Sequence, residues 1–304
     1  MKTRFHPRRL SAFASWLLLA SATLCPAGEK KELTDTQGRK IQADVEELTP
    51  EGVLKVRVSG KAFDIPLGNL VEEDQEWAKG WEEDRKAAAE GQEYAKVLFE
   101  DDFSKEGFGE RWGHYKSGST VKDGVLQGFS PDPSDHAAVD NVKIEGQQDM
   151  EVSVKFRFMG EKGRQLDVWL DDWGFKGSHA GHICRVSVGR NHVSMIDAKE
   201  GSFRKDIYEK KKAGGELDEE TLKSLEGKSA KFDLRMKADE WHTLTVRTKG
   251  DEVTALVDGK KIGSLKSPGI AHETKTLISL TTNEADIHYD DFIIRGKRSS
   301  GKKR

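Results

Sequence analysis

Cysteine is scarce in this chain of 304 residues, which contains only Cys25 and Cys184. Two cysteines cannot build a disulfide framework, so the sequence excludes a disulfide-stabilised scaffold and predicts an ordinary hydrophobic core. Long apolar runs are also missing, since 35% of the residues are hydrophobic and 34% are charged. This composition excludes a polytopic membrane protein. A basic excess is absent too, because the formal net charge is -3, which argues against nucleic acid as a partner.

Residues 1–27 have the pattern of a secretory signal. The basic residues Lys2, Arg4, Arg8 and Arg9 precede the short apolar run Ala12–Leu24, and small residues allow cleavage after Ala27. We therefore expect export to the periplasm, the cell envelope or the medium, with no membrane-spanning segment left in the mature chain. A twin-arginine signal, a lipid-anchored Cys25 and an uncleaved anchor are the alternatives. Without the four basic residues, 46 basic and 53 acidic side chains remain, a formal charge of -7.

Residues 28–76 contain short runs with period-two alternation, separated by turn-forming residues. This pattern predicts small antiparallel strands, and about forty residues of them suit an SH3-like barrel. The stretch resembles the SLA-type homology domain first described in an endocytic adaptor. The motifs that carry the resemblance are Gly38-Arg39-Lys40-Ile41, Gly60-Lys61, Ile65-Pro66-Leu67 and Asp74-Gln75. The resemblance implies a protein or peptide partner for this domain.

Residues 77–98 are rich in helix formers and predict a helical linker with a break near Gly91. From residue 99 to 296 the pattern is mostly β, with the clearest alternation at Met150–Phe158 and an Asp-Gly hairpin turn at Asp258-Gly259. Seven or more such runs predict a two-sheet sandwich. A charged insertion at 199–231 contains a short helix at Leu217–Glu226, and the basic tail 297–304 is predicted to be disordered.

Several phrases in residues 99–296 resemble concanavalin-like jelly rolls of the laminin-G and family 16 glucanase type. They are Phe99–Phe103 with Trp112, Val121–Leu126, Glu240–Val246 with Val257–Gly259, and His288–Ile294. The same pattern occurs in the 3-keto-disaccharide hydrolase-like domains of exported proteins. The predicted fold class is therefore mainly β: a small SH3-like barrel, a helical linker and a two-sheet concanavalin-like jelly-roll sandwich. Such folds serve lectins, enzymes and spacers alike.

The Glu-x-Asp-x-x-Glu signature of the glucanases is absent from the sequence. The nearest polar strand is Asp167–Trp173, where alternation places Asp167, Trp169, Asp171 and Trp173 on one face, with Val168 and Leu170 in the core. Indoles and carboxylates on one face suit a sugar. A solvated face whose indoles are covered by a loop fits equally. Asp167 and Asp171 would lie about 13 Å apart, whereas glycosidase pairs lie within about 5–9.5 Å, so the strand alone supplies no acid/base pair.

His179 and His182 extend this candidate ligand site. His182 and Cys184 are two residues apart, so a strand would place them on one face, and zinc accepts such ligands. The spacing matches no recognised zinc motif. We therefore interpret Cys184 as a small core residue and the histidines as lining a cleft.

Two acidic pairs occur in the predicted first and last strands of the sandwich, Asp101-Asp102 and Asp290-Asp291. In jelly rolls these strands often lie side by side, so four carboxylates can converge on a hard cation such as calcium. Ordinary edge-strand charge is the alternative. No organic cofactor is expected, and a structural calcium ion at Asp101, Asp102, Asp290 and Asp291 is the candidate metal.

The leading functional prediction is an exported carbohydrate-associated protein. Its jelly roll binds a glycan, and its barrel mediates a protein interaction. The first alternative is a glycoside hydrolase that acts on a disaccharide or oligosaccharide. A structural spacer without a ligand is the second.

Overall fold

The computed structural model describes residues 29–160 and 165–297. The predicted leader and residues 298–304 of the predicted tail lie outside these ranges. The chain divides into two compact units, with the division between Gly80 and Trp81.

The first unit is built on a four-stranded antiparallel sheet in chain order. Its strands are β1 (Glu29–Thr34), β2 (Lys40–Leu48), β3 (Val53–Val58) and β4 (Lys61–Pro66). Alternation buries one face, so the predicted strands are confirmed, and the core residues are Leu33, Ala43, Val45, Leu54, Val56 and Leu70. The SH3-like barrel stays a prediction.

Helix α1 (Glu72–Gly91) begins in the first unit and ends at the glycine where the sequence predicts a break. Its first turn carries Asp74, whose Oδ2 accepts a hydrogen bond from the Thr34 backbone at 2.7 Å. No helix in the two described ranges is both long and apolar enough to cross a membrane.

The second unit is a two-layer β-sandwich. Its strands are β5 (Lys96–Asp101), β6 (Trp112–Tyr115), β7 (Thr120–Lys122), β8 (Val125–Phe129), β9 (Ala138–Gln147), β10 (Met150–Phe158), β11 (Gln165–Asp171), β12 (His182–Gly189), β13 (His192–Asp197), β14 (Ser229–Asp233), β15 (His242–Lys249), β16 (Glu252–Val257), β17 (Lys260–Lys266), β18 (Lys275–Asn283) and β19 (Ala285–Gly296). The insertion between β13 and β14 contains helices α2 (Lys205–Lys212) and α3 (Glu219–Ser224).

The two sheets have different strand orders. The first sheet runs β17-β16-β15-β10-β19-β8-β7, with β5 also paired to β19, and the second runs β14-β13-β12-β11-β18-β9-β6. Their facing side chains form one hydrophobic core, which includes Val154 and Phe156 from β10 and Val168 and Leu170 from β11. The predicted jelly-roll sandwich is therefore confirmed.

Local turn chemistry explains two of the hairpins. Asp258 and Gly259 adopt φ of 52° and 78°, and Asp123 and Gly124 adopt φ of 55° and 75°. Two consecutive residues with positive φ form the turn that matches the twist of antiparallel strands. The Asp-Gly pairs therefore close β16–β17 and β7–β8.

The charged insertion is partly ordered by capping. Asp218 accepts a hydrogen bond from the Thr221 backbone at 2.8 Å and begins α3, within the helix predicted at Leu217–Glu226. At the end of the second described range, Lys297 Nζ lies 2.7 Å from Asp149 Oδ2. The first residue of the predicted tail is therefore held by an ion pair.

Candidate functional site

Strand β11 presents one apolar and one polar face. Val168 and Leu170 lie in the core, as alternation predicts, and Asp167, Trp169 and Asp171 lie on the opposite face. We call this face, which is turned away from the core, the outer face of the second sheet. The three polar-face side chains are nevertheless buried, with 3%, 8% and 2% of their surface exposed. Other segments must therefore cover this part of the sheet.

Trp173 does not lie on that strand face. Strand β11 ends at Asp171, and the Phe175 backbone donates a hydrogen bond to the Asp172 carbonyl in the turn that follows. The prediction that alternation continues to Trp173 is corrected by this turn. Its indole is 61% exposed, and the Lys143 ammonium lies 4.5 Å from its ring centre.

Asp171 and His182 form a buried pair across β11 and β12. His182 Nδ1 lies 2.8 Å from Asp171 Oδ1, and the imidazole stacks on the Trp169 indole with ring centres 4.0 Å apart. Burial raises the pKa of Asp171, and the hydrogen bond and charge of His182 oppose that rise. A carboxyl group behind an imidazole fixes the orientation and tautomer of the ring.

Cys184 is separated from this pair by an irregularity in the strand. The register shifts between Leu170 and Asp171 opposite β12, so His182 lies on the outer face whereas Cys184 is in the hydrophobic core. The prediction that His182 and Cys184 share a face is therefore wrong. Burial raises the pKa of the Cys184 thiol to about 12, which agrees with its interpretation as a core residue.

The charged insertion covers Trp169. The Phe203 ring meets Trp169 edge-on at 5.2 Å and His182 at 5.3 Å, and the His179 backbone donates to the Phe203 carbonyl at 2.8 Å. Tyr208 of α2 stacks on His179 with ring centres 3.8 Å apart. Sequence reasoning missed Phe203 and Tyr208 because both come from a segment whose charge predicted a solvated surface.

An open pocket of about 580 Å³ lies beside this cluster. Its lining residues are Trp173, Phe175, Lys176, Ser178, His179, Ala180, Gly181, Lys205, Tyr208, Glu209 and Lys212. Burial, followed by the positive charges of His182, Lys212 and His136, lowers the pKa of His179. A lowered pKa favours the neutral imidazole, which is the form that can accept a proton as a base.

Asp167 lies farther along the same outer face, in a row of polar side chains on three neighbouring strands, Ser187, Asp167 and Thr281. It is opposite Ser187 on one side and Thr281 on the other, and it accepts hydrogen bonds from Gln165 at 2.8 Å and Asn283 at 3.0 Å. Ser187 Oγ and Thr281 Oγ1 are buried without a hydrogen-bond partner in the described residues. Cross-strand register brings this row together, and register is not visible in the sequence.

The structure brings the predicted residues together only in part. His179, His182, Trp169 and Asp171 form one cluster, and Trp173 reaches the pocket from the following turn. Asp167 is not among the residues that line this pocket.

Three of the four predicted calcium ligands, Asp101, Asp290 and Asp291, lie on neighbouring strands, and Asp102 follows the end of β5. Strand β5 pairs with β19, with Asp101 opposite Phe292, as the prediction requires. Asp101 accepts hydrogen bonds from the Phe103 backbone at 2.9 Å and the Trp112 indole at 2.8 Å. Both of its carboxylate oxygens are therefore used within the protein.

The other three carboxylates also have protein partners. Asp102 accepts from the Ser104 backbone at 3.0 Å, Asp290 accepts from the Asp291 backbone at 2.8 Å, and Asp291 lies 2.6 Å from Lys155 Nζ. Burial first, and then the charges of Asp291 and Asp102, raise the pKa of Asp290. Within residues 29–160 and 165–297, no group of three or more acidic, histidine or cysteine side chains has an arrangement that would hold a metal. Calcium stays a prediction.

Comparison with known families gives one match. The model of the 3-keto-alpha-glucoside-1,2-lyase-like domain matches residues 73–295. A search of curated proteins gave no match.

Among solved structures, the chain is similar to a non-specific endo-β-1,3(4)-glucanase of family GH16 (12% identity, TM-score 0.45), with 68% of this chain and 92% of that chain covered. It is also similar to the catalytic domain of an endo-1,3-β-glucanase from Thermotoga petrophila (11% identity, TM-score 0.44), with 67% of this chain and 98% of that chain covered. A third similar structure is a carbohydrate-binding module from Bacillus subtilis (10% identity, TM-score 0.40), with 61% of this chain and 96% of that chain covered.

Proposed function

We propose that this chain, which belongs to the 3-keto-alpha-glucoside-1,2-lyase-like family, binds a glycoside in the pocket beside His179. The observation that carries the proposal is a pocket of about 580 Å³ with Trp173, Phe175 and Tyr208 in its lining. Small-molecule sites have volumes of roughly 300–1,000 Å³. Sugar rings stack their C–H faces on aromatic rings, and imidazole and ammonium groups hydrogen-bond to their hydroxyls.

Calorimetric titration of the full chain with methyl α-glucoside and its 3-keto derivative tests this proposal. We expect Trp173→Ala to weaken binding about tenfold, equivalent to ~1.4 kcal/mol, because the exposed indole supplies a stacking surface. Trp241→Ala is the matched control, since Trp241 is also exposed, at 38%, and does not line the pocket. Equal dissociation constants for Trp173→Ala and the unchanged protein would contradict the proposal.

A second candidate function is elimination from a 3-ketoglucoside. The ketone at C3 acidifies the proton on C2, a base removes that proton, and the C1–O bond breaks as the C1=C2 double bond forms. The departing oxygen takes a proton from the protonated base or from water and leaves as an alcohol. His179 is placed to act as the base because it lines the pocket and its pKa is lowered. The Asp171–His182 pair lies next to it, with the His179 and His182 ring centres 5.7 Å apart.

Product analysis separates elimination from binding alone. We expect the ultraviolet absorbance of a conjugated enone to appear with the 3-keto substrate, and we expect His179→Gln to abolish it while leaving the dissociation constant within about threefold. Equal turnover in His179→Gln would exclude this imidazole as the base. Hydrolysis is the less favoured alternative, because the described lining of the pocket contains one carboxyl group, Glu209, whereas glycosidases use a pair.

We also propose export and a peptide partner for the first unit. The leader pattern in residues 1–27 supports export, and sequencing the amino terminus of secreted protein tests cleavage after Ala27. The motifs in residues 28–76 support a peptide partner. A peptide-library screen of the full chain tests it, and a Leu54→Ala variant, in which we expect the first unit to be unfolded, is the negative control.

A further inference from the structure

The pocket beside His179 is surrounded by lysines. Lys176, Lys205 and Lys212 line it together with a single acid, Glu209. Two more ammonium groups lie over its aromatic rings, Lys143 at 4.5 Å from the centre of Trp173 and Lys199 at 5.5 Å from that of Phe175. The whole chain has a net charge of -3, so the charge around the pocket is opposite in sign to that of the molecule.

The acids nearest in sequence to the pocket do not cancel this charge, because most have other partners. Asp172 is paired with His272, Asp206 with Arg204 and Glu200 with Lys228. Glu209 lies 4.0 Å from Lys205, and both side chains are mostly exposed, so this pair is weak.

The positive field reaches the His179 imidazole. Lys212 is one of the charges that lower the pKa of His179, after burial and His182. Lys176 is held at the rim because its ammonium donates a hydrogen bond to the Trp173 carbonyl at 3.2 Å. Positive charge of this kind, in a pocket with apolar walls, attracts an anion more strongly than the same lysines on an open surface.

We propose that the pocket selects glycosides whose sugar carries a negative group, such as the carboxylate of a uronic acid. Aromatic rings bind the sugar face, and the ammonium groups of Lys176 and Lys212 bind the anion. This inference depends on the proposed binding of a glycoside in the same pocket and specifies its substrate class.

Titration of the full chain with methyl α-glucuronoside and methyl α-glucoside tests the inference, because the two probes differ chiefly in charge. We expect the glucuronoside to bind about tenfold more tightly at low ionic strength. The ratio of the glucoside to the glucuronoside dissociation constant, which we call the glucuronoside's advantage, should shrink at about 0.15 M salt, where exposed charges are screened beyond roughly 8 Å. The double substitution Lys176→Gln and Lys212→Gln should reduce the glucuronoside's advantage to threefold or less, because it should weaken glucuronoside binding more than glucoside binding.

The matched control is the double substitution Lys105→Gln and Lys122→Gln, which also removes two exposed charges from residues that do not line the pocket. Equal affinity for both probes in the unchanged protein would overturn the inference while the proposed function stands. An equal loss in the Lys105→Gln and Lys122→Gln double variant would also overturn it, by assigning the effect to overall charge. Failure of both probes to bind would instead remove the proposed function itself.

Discussion

His179 joins the pocket to the insertion, since its ring stacks on Tyr208 and its backbone binds Phe203. Its pKa is lowered mainly by burial, as are those of His192 and His288. In the unfolded chain each imidazole takes up a proton near pH 6.5, and in the folded chain only at a lower pH. Below about pH 6.5 the unfolded state therefore binds more protons, so the free energy of unfolding falls as pH falls.

We predict that these three imidazoles lower the urea midpoint of unfolding at about pH 5.5 relative to about pH 7.5, whereas Asp171 and Asp290, whose pKa values are raised by burial, act in the opposite direction. His179→Gln should lose part of this difference, because glutamine does not titrate. Urea unfolding followed by fluorescence at both pH values measures it. His288→Gln is the control, because His288 does not line the pocket. It should remove a different part of the pH-dependent difference in the urea midpoint. An unchanged pH dependence in both variants would contradict the prediction.

Single residues show what the sequence was able to predict about the site. Alternation correctly separated Trp169 from Val168 and Leu170, because that pattern depends only on the local strand. The Asp171–His182 pair was not predicted, because it depends on the register of two strands. A loop over the indoles was one of the two alternatives, but Phe203 was not identified as its residue because it reaches Trp169 from a distant part of the chain.

At the scale of elements, the connection between β11 and β12 determines where the imidazoles lie. Gly181 adopts φ of 77°, and a Cβ there would lie 2.2 Å from the Asp172 carbonyl oxygen. That carbonyl belongs to the turn that also positions Trp173. A glycine is therefore required at this point by both conformation and space.

We predict that Gly181→Ala lowers the free energy of unfolding by more than about 1 kcal/mol and weakens glycoside binding at least tenfold, because the turn between His179 and His182 must shift. Gly214→Ala is the control. It also has positive φ, at 73°, but its Cβ would meet nothing within 4 Å, so it should cost about 1 kcal/mol with binding unchanged. Urea unfolding and calorimetric titration measure the two effects. Equal losses of glycoside binding in both variants would contradict the conclusion that the turn at Gly181 positions the pocket.

Elements whose signal is local were predicted well. The alternation of Met150–Phe158 is strand β10, and the Asp-Gly pairs close the hairpins that turn chemistry requires. Strand β14 (Ser229–Asp233) was assigned to the charged insertion instead. In its sequence, SAKFD, Ala230 and Phe232 are half-buried and the other three side chains are exposed, and its strand state depends on pairing with β13. A short edge strand of this kind carries little signal of its own.

At the scale of the whole molecule, each unit has its own hydrophobic core. Among the described residues, the buried members of the sandwich core begin at Phe99, with Leu98 packed against them, and the first unit buries Leu54 and Val56 between its own elements. Domain stability is roughly 0.05–0.15 kcal/mol per residue, which gives a unit of about fifty residues only a few kcal/mol. A single large cavity is enough to unfold a unit of that size.

We predict that Leu54→Ala unfolds the first unit, because truncating a fully buried leucine costs about 2–5 kcal/mol. Scanning calorimetry should show loss or a downward shift of one transition, while the transition of the sandwich and the dissociation constant for the glycoside stay unchanged. Leu170→Ala, in the sandwich core beside Trp169, should lower or remove the transition of the sandwich and leave that of the first unit unchanged. One shared transition that moves in both variants would contradict independent folding. The pocket would then depend on the first unit for its stability, even though its lining residues all belong to the second.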